Sequence, residues 1–124
     1  MPTKPTAAEL QILRVLWASG PSTVRQVHEA RGEKGTGYTT TLKLLQIMAD
    51  KGLVLRDASQ RAHVYEARIP REKTQAQLVR DLVDSVFGGS ASRLVLHALA
   101  AKPSSPAERA EIRRLLDAME EKRK

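Results

Sequence analysis

The chain opens with apolar residues that recur at helical spacing. Thr6 and Glu9 have the spacing of a capping box, in which each side chain bonds the other residue's backbone N–H and so starts a helix. The apolar stripe that follows ends at a Gly-Pro pair, so we predict a first helix over residues 7–19. A second capping-box pair, Thr23 and Gln26, predicts a short second helix.

A third amphipathic stretch follows Gly37. It ends at Lys51-Gly52, a basic last turn followed by a glycine that favours a left-handed cap. Its inward stripe has the spacing i, i+3, i+4, i+7 and consists of Thr41, Leu44, Leu45 and Met48. The polar residues between them fall on the other face, so this stretch predicts a helix with one buried and one solvated side.

Two short runs, residues 53–57 and 63–67, are rich in β-branched or aromatic residues and flank a polar turn, which predicts a β-hairpin. The rest of the chain is helical in pattern. Pro70 begins an amphipathic segment that ends at a Gly-Gly pair, and a helix over residues 91–101 follows. Ser105, Pro106 and Glu108 then cap a last helix.

The charge and composition of the chain limit the kinds of molecule that it is expected to bind. Twenty-one Lys and Arg against fourteen Asp and Glu give a net charge of +7, which favours a polyanionic partner, with nucleic acid ahead of a membrane surface. The chain has no cysteine, which excludes disulfides and thiolate chemistry. No stretch is apolar enough to span a membrane, and the first residues do not form a secretion signal, so we expect a cytoplasmic protein with no membrane partner.

The sequence contains little that resembles a catalytic or metal-binding motif. His28, His63 and His97 stand apart from one another, and none has the second histidine of a helical zinc motif. No glycine-rich phosphate loop or nucleophile elbow occurs either. We therefore expect no enzyme, no cofactor and no metal site.

Three short helices followed by a hairpin have the order of a winged helix-turn-helix domain, in which the third helix enters the major groove and the wing touches the DNA backbone. Arg61 lies near the tip of the predicted wing. The predicted DNA-binding residues are Tyr38, Thr39, Thr40, Leu42, Lys43, Gln46 and Arg61. The alternative is an amphipathic core helix whose polar face is merely solvated.

Two apolar residues of the third helix lie off its inward stripe. Packing on the wing is the expected role of Ile47, and contact with a thymine methyl group is a hypothesis for Leu42. Trp17 and Tyr65 fall in apolar periodic elements, so we predict that they anchor the core.

The C-terminal helices carry more apolar surface than a small domain can cover, which favours self-association about a twofold axis. The predicted dimerisation residues are Leu78, Val79, Leu82, Val83, Val86, Phe87, Leu94, Leu96, Ile112, Leu115, Leu116 and Met119. An intramolecular three-helix bundle is the alternative. The predicted fold is mainly α with a small β-hairpin wing: a winged helix-turn-helix domain over residues 1–69 and a helical dimerisation domain over residues 70–124.

Several local sequences resemble the penicillinase-repressor (BlaI/MecI) family of bacterial transcription factors. They are the Leu-Trp that closes the first helix, the Tyr-Thr-Thr that opens the third, the Lys-Gly before the wing, and the Gly-Gly and Leu-Val-Leu near the C-terminal helices. The resemblance implies a homodimeric repressor that binds a pseudo-palindromic DNA operator until a signal removes it. It also implies that Thr39, Leu42, Lys43 and Ile47 face the groove.

The sequence departs from that family at the point where β-lactam-responsive members are cleaved, because His97-Ala98 stands in place of their Asn-Phe. A signalling protease is therefore an unproven partner. The chain also lacks the cysteines of copper-responsive relatives. Two other functions stay open: a winged-helix adaptor that binds protein instead of reading DNA, and a regulator that senses a small molecule between its two domains.

Overall fold

The computed structural model describes residues 4–32 and 37–122 and divides into two compact units between Gln77 and Leu78. The elements, in chain order, are α1 (Ala7–Ser19), β1 (Ser22–Thr23), α2 (Val24–Arg31), α3 (Tyr38–Lys51), β2 (Val54–Asp57), β3 (Val64–Ala67), α4 (Arg71–Ser85), α5 (Ala91–Ala101) and α6 (Pro106–Lys122). The predicted fold class, mainly helical with a small hairpin in the winged-helix order, is confirmed.

The predicted capping boxes form, and they set where the helices begin. In the first, the backbone N–H of Glu9 donates to Thr6 Oγ1 at 3.2 Å, and the N–H of Thr6 donates to Glu9 Oε1 at 2.9 Å. Thr23 and Gln26 make the same pair of bonds at the start of α2. Each box satisfies two of the backbone donors that a helix N-terminus leaves free, so local sequence alone specifies these starts.

The sheet has one strand more than the sequence predicts. Its order is β1-β3-β2, with both pairs antiparallel, so β3 lies in the middle. Tyr65 of β3 pairs with Ser22 on one side and with Arg56 on the other. The strand β1 has two residues and ends at the α2 cap, too short for a pattern of alternating residues to reveal it.

The core of the first unit is aliphatic and forms between α1, α2, α3 and the sheet. Its buried hydrophobic residues are Ile12, Leu13, Leu16, Val24, Val27, Leu45, Met48, Leu53, Val54 and Tyr65. Trp17 packs against this cluster while its indole Nε1 donates to the carbonyl oxygen of Ile69 at 2.9 Å. Both aromatic residues thus anchor the core, as predicted.

The first turns of α4 fall in the first unit, whereas the sequence predicts the domain boundary after residue 69. Thr74 is buried and its hydroxyl donates to the carbonyl oxygen of Pro70 at 2.8 Å. Pro70 is a natural point to place a boundary because proline begins a helix, but a helix that begins there can still pack on the preceding domain.

A buried ion pair joins α1 and α3 in the first unit. The Lys51 ammonium lies 2.7 and 3.0 Å from the two Glu9 carboxylate oxygens, and Glu9 is only 2% exposed. Burial alone raises the pKa of Glu9, but hydrogen bonds from Lys51 and Thr6 and the charge of Lys51 outweigh it, so the pKa lies below its ordinary value of 4.5. The pair fastens the last turn of α3 to the first turn of α1.

We predict that Glu9→Gln lowers the free energy of unfolding near neutral pH by about 1–3 kcal/mol, because the Lys51 charge loses its partner. The pKa of Glu9 is lower in the folded state, so its stabilisation is present above the ordinary pKa of glutamate and is lost as pH falls through the folded-state pKa. The difference between wild type and variant should therefore shrink in acid. Urea unfolding at one protein concentration, near neutral pH and below the ordinary pKa of glutamate, measures both effects.

Glu72→Gln is the matched control. It removes a carboxylate from the Arg71–Glu72 pair, whose side chains are both more than half exposed, and we expect a change of less than about 1 kcal/mol. Equal losses for the two variants would contradict the stabilising role of the buried pair.

Candidate nucleic-acid interface

Helix α3 has one face fixed in the core and one face in solvent. Thr41, Leu45 and Met48 are buried. Five of the predicted DNA-binding residues are exposed on α3: Tyr38, Thr39, Thr40, Lys43 and Gln46. Since residues three or four positions apart share a helix face, the buried stripe determines which side chains point outward.

The N-terminus of α3 differs from those of α1 and α2. Its N-cap is Gly37, and among the described residues no side chain accepts from its first backbone N–H groups. Thr6 and Thr23 occupy these positions in the other two helices. The uncapped end of α3 therefore offers free N–H donors and the positive end of the helix dipole to an anion.

A cationic side chain that the sequence analysis missed lies beside this end. The Tyr38 ring is 41% exposed, and the Arg25 guanidinium carbon lies 5.5 Å from its centroid. The His28 ring meets Tyr38 edge-on, with centroids 5.9 Å apart and planes at 76°. Arg25 belongs to α2 and is far from Tyr38 along the chain, so only the packing of α2 against α3 reveals that they form one surface.

A second set of contacts between α2 and α3 is buried. His28 Nδ1 lies 3.1 Å from Thr41 Oγ1, and Arg31 Nη1 donates to the same hydroxyl oxygen at 3.1 Å. Thr41 itself has no exposed surface. Because a buried hydrogen bond requires a specific orientation of its partners, these contacts fix the rotation of α3 as well as its position.

The cationic side chain predicted near the tip of the wing is exposed to solvent. Arg61 is exposed in the turn between β2 and β3, and Arg56 is exposed on β2. At the start of this turn the backbone N–H of Ser59 donates to Asp57 Oδ1 at 2.9 Å. Hydrogen bonds from Ser59, with a smaller effect of the nearby His63, hold the pKa of Asp57 below its ordinary value. The carboxylate is thus engaged in shaping the turn.

The two apolar residues of α3 that lie off its predicted inward stripe differ in exposure. Leu42 is half-buried and packs against the core, whereas Ile47 is 39% exposed. Ile47, not Leu42, is therefore the larger apolar surface on the outer part of α3. The inward stripe is wide enough to include position 42, which the spacing of the other core residues does not show.

The second unit has no core of its own. Among its described residues, 78–122, no side chain is buried. Of the predicted dimerisation residues, five are half-buried: Leu78, Val83, Phe87, Leu94 and Ile112. The other seven are exposed: Val79, Leu82, Val86, Leu96, Leu115, Leu116 and Met119. Val95 and Leu99 add exposed apolar surface that was not predicted.

This exposure argues against an intramolecular three-helix bundle, which would bury one face of each helix.

His97, which stands where relatives have the asparagine of their cleaved bond, is exposed on α5, with its ring 5.5 Å from that of Phe87. Across residues 4–32 and 37–122, no group of His, Asp and Glu side chains could hold a metal ion. No helix in the same ranges is both long and apolar enough to cross a membrane.

Comparison with known proteins gives the family. The sequence model of the Penicillinase repressor family matches residues 5–118. The chain belongs to that family. It is also 37% identical over 92 residues to the transcriptional regulator BlaI of Mycobacterium tuberculosis, in both strain CDC 1551 / Oshkosh and strain ATCC 25618 / H37Rv, covering 72% of this chain and 67% of that protein.

Membership of the penicillinase repressor family confirms the resemblance seen in the sequence and identifies a regulator of transcription, not an enzyme. Two solved structures are also similar, each with a TM-score of 0.47 and 18% identity. One is a MarR family transcriptional regulator from Silicibacter pomeroyi DSS, covering 94% of this chain and 69% of that one. The other is the PcaV regulator from Streptomyces coelicolor with its natural ligand, covering 98% and 78%.

We predict that Thr41→Val lowers the free energy of unfolding by about 1–3 kcal/mol, because His28 and Arg31 lose their common hydrogen-bond partner while the side-chain volume is nearly kept. Thr40→Val is the control, since Thr40 is the exposed neighbour on the same helix. Urea unfolding monitored by circular dichroism gives both values. Equal stabilities of the two variants would show that the buried network does not hold α3.

Proposed function

We propose that this member of the penicillinase repressor family is a cytoplasmic homodimeric repressor of a pseudo-palindromic operator. The observation that carries the proposal is that the outward face of α3 is exposed and, apart from Ile47, polar. A helix held in this way can enter the major groove of DNA, whose width admits an α-helix.

Base recognition is assigned to the exposed side chains in the middle of α3. Lys43 can donate to the O6 and N7 acceptors of guanine, and Gln46 can form two hydrogen bonds with adenine. Ile47 can pack against a thymine methyl group. Thr39 and Thr40 lie in the first turn, beside the free backbone N–H groups, and suit contacts with a phosphate.

Contacts with the DNA backbone are assigned to cations on either side of α3. Arg25 lies against Tyr38 at the N-terminal end of the helix, and Arg61 lies in the exposed turn of the wing. A groove-bound helix has a phosphate strand on each side, so cations on both flanks fix its register. The net charge of +7 adds attraction that does not depend on sequence.

Dimerisation is assigned to the second unit. Its exposed aliphatic side chains include Val86 at 64%, Leu96 at 68% and Leu115 at 59%, and exposed apolar side chains on neighbouring helix positions are typical of an interaction surface. Pairing two copies about a twofold axis would cover this surface and present two α3 helices to a symmetric DNA site. Occupation of such a site in a promoter blocks transcription.

The first test uses DNA from upstream of the protein's own coding sequence, with a protected site located by footprinting. We predict that Lys43→Ala weakens binding to this site by about 1–3 kcal/mol and has less effect on scrambled DNA, as expected of a base contact. Arg25→Gln should weaken binding to both DNAs and reduce the slope of log affinity against log salt by about one, as expected of a phosphate contact. Fluorescence anisotropy of labelled duplexes measures both.

Lys73→Ala is the control, because it removes the same charge from an exposed position on α4. Equal affinity for promoter and scrambled DNA at every salt concentration would reject a sequence-reading repressor. Absence of DNA binding altogether would favour the adaptor function.

We predict that Leu116→Glu on α6 converts the dimer to monomer and weakens operator binding, because it puts a charge into the apolar stripe that also contains Leu115 and Met119. Ala118→Glu adds the same charge to the same helix off that stripe and should leave the dimer intact. Sedimentation velocity over a range of concentrations distinguishes the two. A wild-type protein that sediments as a monomer would reject the proposed symmetry.

A further inference from the structure

A groove on the first unit has the chemistry of an anion-binding site and lies away from the outward face of α3. Residues of α1, of the end of α2 and of the start of α4 line this open groove, whose volume is about 660 Å³. Three arginines line it, Arg14, Arg31 and Arg71, and no acidic residue does. Apolar side chains of Val15 and Trp17 complete the wall. Such a combination of cations and apolar surface suits an amphipathic organic anion.

Arg31 is the decisive residue because its guanidinium is only partly satisfied. Nη1 donates to Thr41 Oγ1 at 3.1 Å, and Nη2 donates to Gln11 Oε1 at a longer 3.3 Å. The remaining donor, Nε, is buried and has no hydrogen-bond partner among the described residues. A buried N–H without a partner is unfavourable, so this donor favours binding of an acceptor that the described residues do not supply.

The two donors not engaged by Thr41 lie on one edge of the guanidinium. Nε–H and one Nη2–H point the same way, and this is the edge that a carboxylate binds with two parallel hydrogen bonds. The single amide oxygen of Gln11 reaches only Nη2. Gln11 is exposed on α1, so its side chain can move aside and allow a carboxylate to satisfy both donors.

We propose that this groove binds a small organic carboxylate, with the carboxylate on the Nε and Nη2 edge of Arg31 and the apolar body against Val15 and Trp17. Arg14 adds positive potential around the carboxylate, whereas the charge of Arg71 is already paired with Glu72. The indole of Trp17 is held by its bond to the carbonyl oxygen of Ile69, which makes it a fixed wall. A carboxylate without an apolar body would contact only the arginines of the groove. An apolar molecule without the charge would contact only Val15 and Trp17.

Arg31 also connects the groove with α3, and this step rests on the proposed function. The same guanidinium that would hold the carboxylate donates to the buried hydroxyl of Thr41 on α3. A bound carboxylate neutralises the charge of Arg31 next to this helix and so reduces the attraction for DNA phosphates. The ligand therefore weakens DNA binding, and by linkage DNA weakens binding of the ligand by the same factor.

The direct test uses Trp17, the one tryptophan of the chain, as a fluorescent reporter inside the groove. Benzoate, its neutral counterpart benzamide, and inorganic phosphate are titrated into the full-length protein at constant ionic strength. We expect a saturable change in Trp17 fluorescence with benzoate and none with benzamide. An equal response to benzamide would overturn the role of the charge, and an equal response to phosphate would overturn the role of the apolar wall.

Variants locate the site. Arg31→Lys keeps the positive charge but removes the two-donor edge, and we expect benzoate binding to weaken at least about tenfold. Arg14→Gln changes an exposed groove residue that the fold does not need and should weaken binding less, which keeps the test valid if the Arg31 variant fails to fold. Lys73→Gln, an exposed cation outside the groove, should bind benzoate as the wild type does. Wild-type binding by both arginine variants would reject the site.

The coupling is tested separately, by adding benzoate to the protein bound to its labelled operator. We expect the apparent affinity for DNA to fall by about fivefold or more in the wild type and to stay unchanged in Arg31→Lys. Benzoate binding with no effect on DNA affinity would overturn the coupling while leaving the site in place. Failure of the protein to bind DNA would reject the proposed function, whereas the fluorescence titration would still test the groove.

Discussion

The rotation of α3 about its own axis is the constraint on which the proposed interface and its neighbours depend. Each residue of an α-helix turns the chain by about 100°, so an error of one position would bury the polar side chains and expose the core. Leu45 and Met48 set the rotation through apolar packing, and the hydroxyl of Thr41 refines it through directional bonds to His28 and Arg31. Apolar contacts alone tolerate small rotations, but hydrogen bonds do not.

The two ends of α3 differ in whether the fold satisfies their terminal polar groups. At the C-terminal end, Gly52 adopts a left-handed conformation at φ +82°, and Lys51 is paired with the buried Glu9. At the N-terminal end, no described side chain caps the helix, and Arg25 and Tyr38 lie beside it in solvent. The fold thus satisfies one end of the helix internally and leaves the polarity of the other end available to an external anion.

Local sequence predicts the secondary structure well because most element ends here have local causes. The capping boxes at Thr6 and Thr23 bond within three residues, so their effect can be read directly from the sequence. What the sequence does not reveal depends on contacts between distant segments. The pairing of β1 with β3, the place of Arg25 against Tyr38, and the burial of Leu42 rather than Ile47 all follow from packing. The apolar stripes of the second unit and their surplus of apolar surface were predicted from the sequence, but the exposure of Val95 and Leu99 was not.

The central position of β3 links two parts of the molecule that the chain separates. Val64 pairs with Thr23, the cap of α2, on one side and with Asp57, at the start of the wing turn, on the other. Strand pairing on both sides of Val64 therefore connects the wing to the first turn of α2. The start of the wing turn and the helix that carries Arg25 are thus joined through the main chain of a single strand.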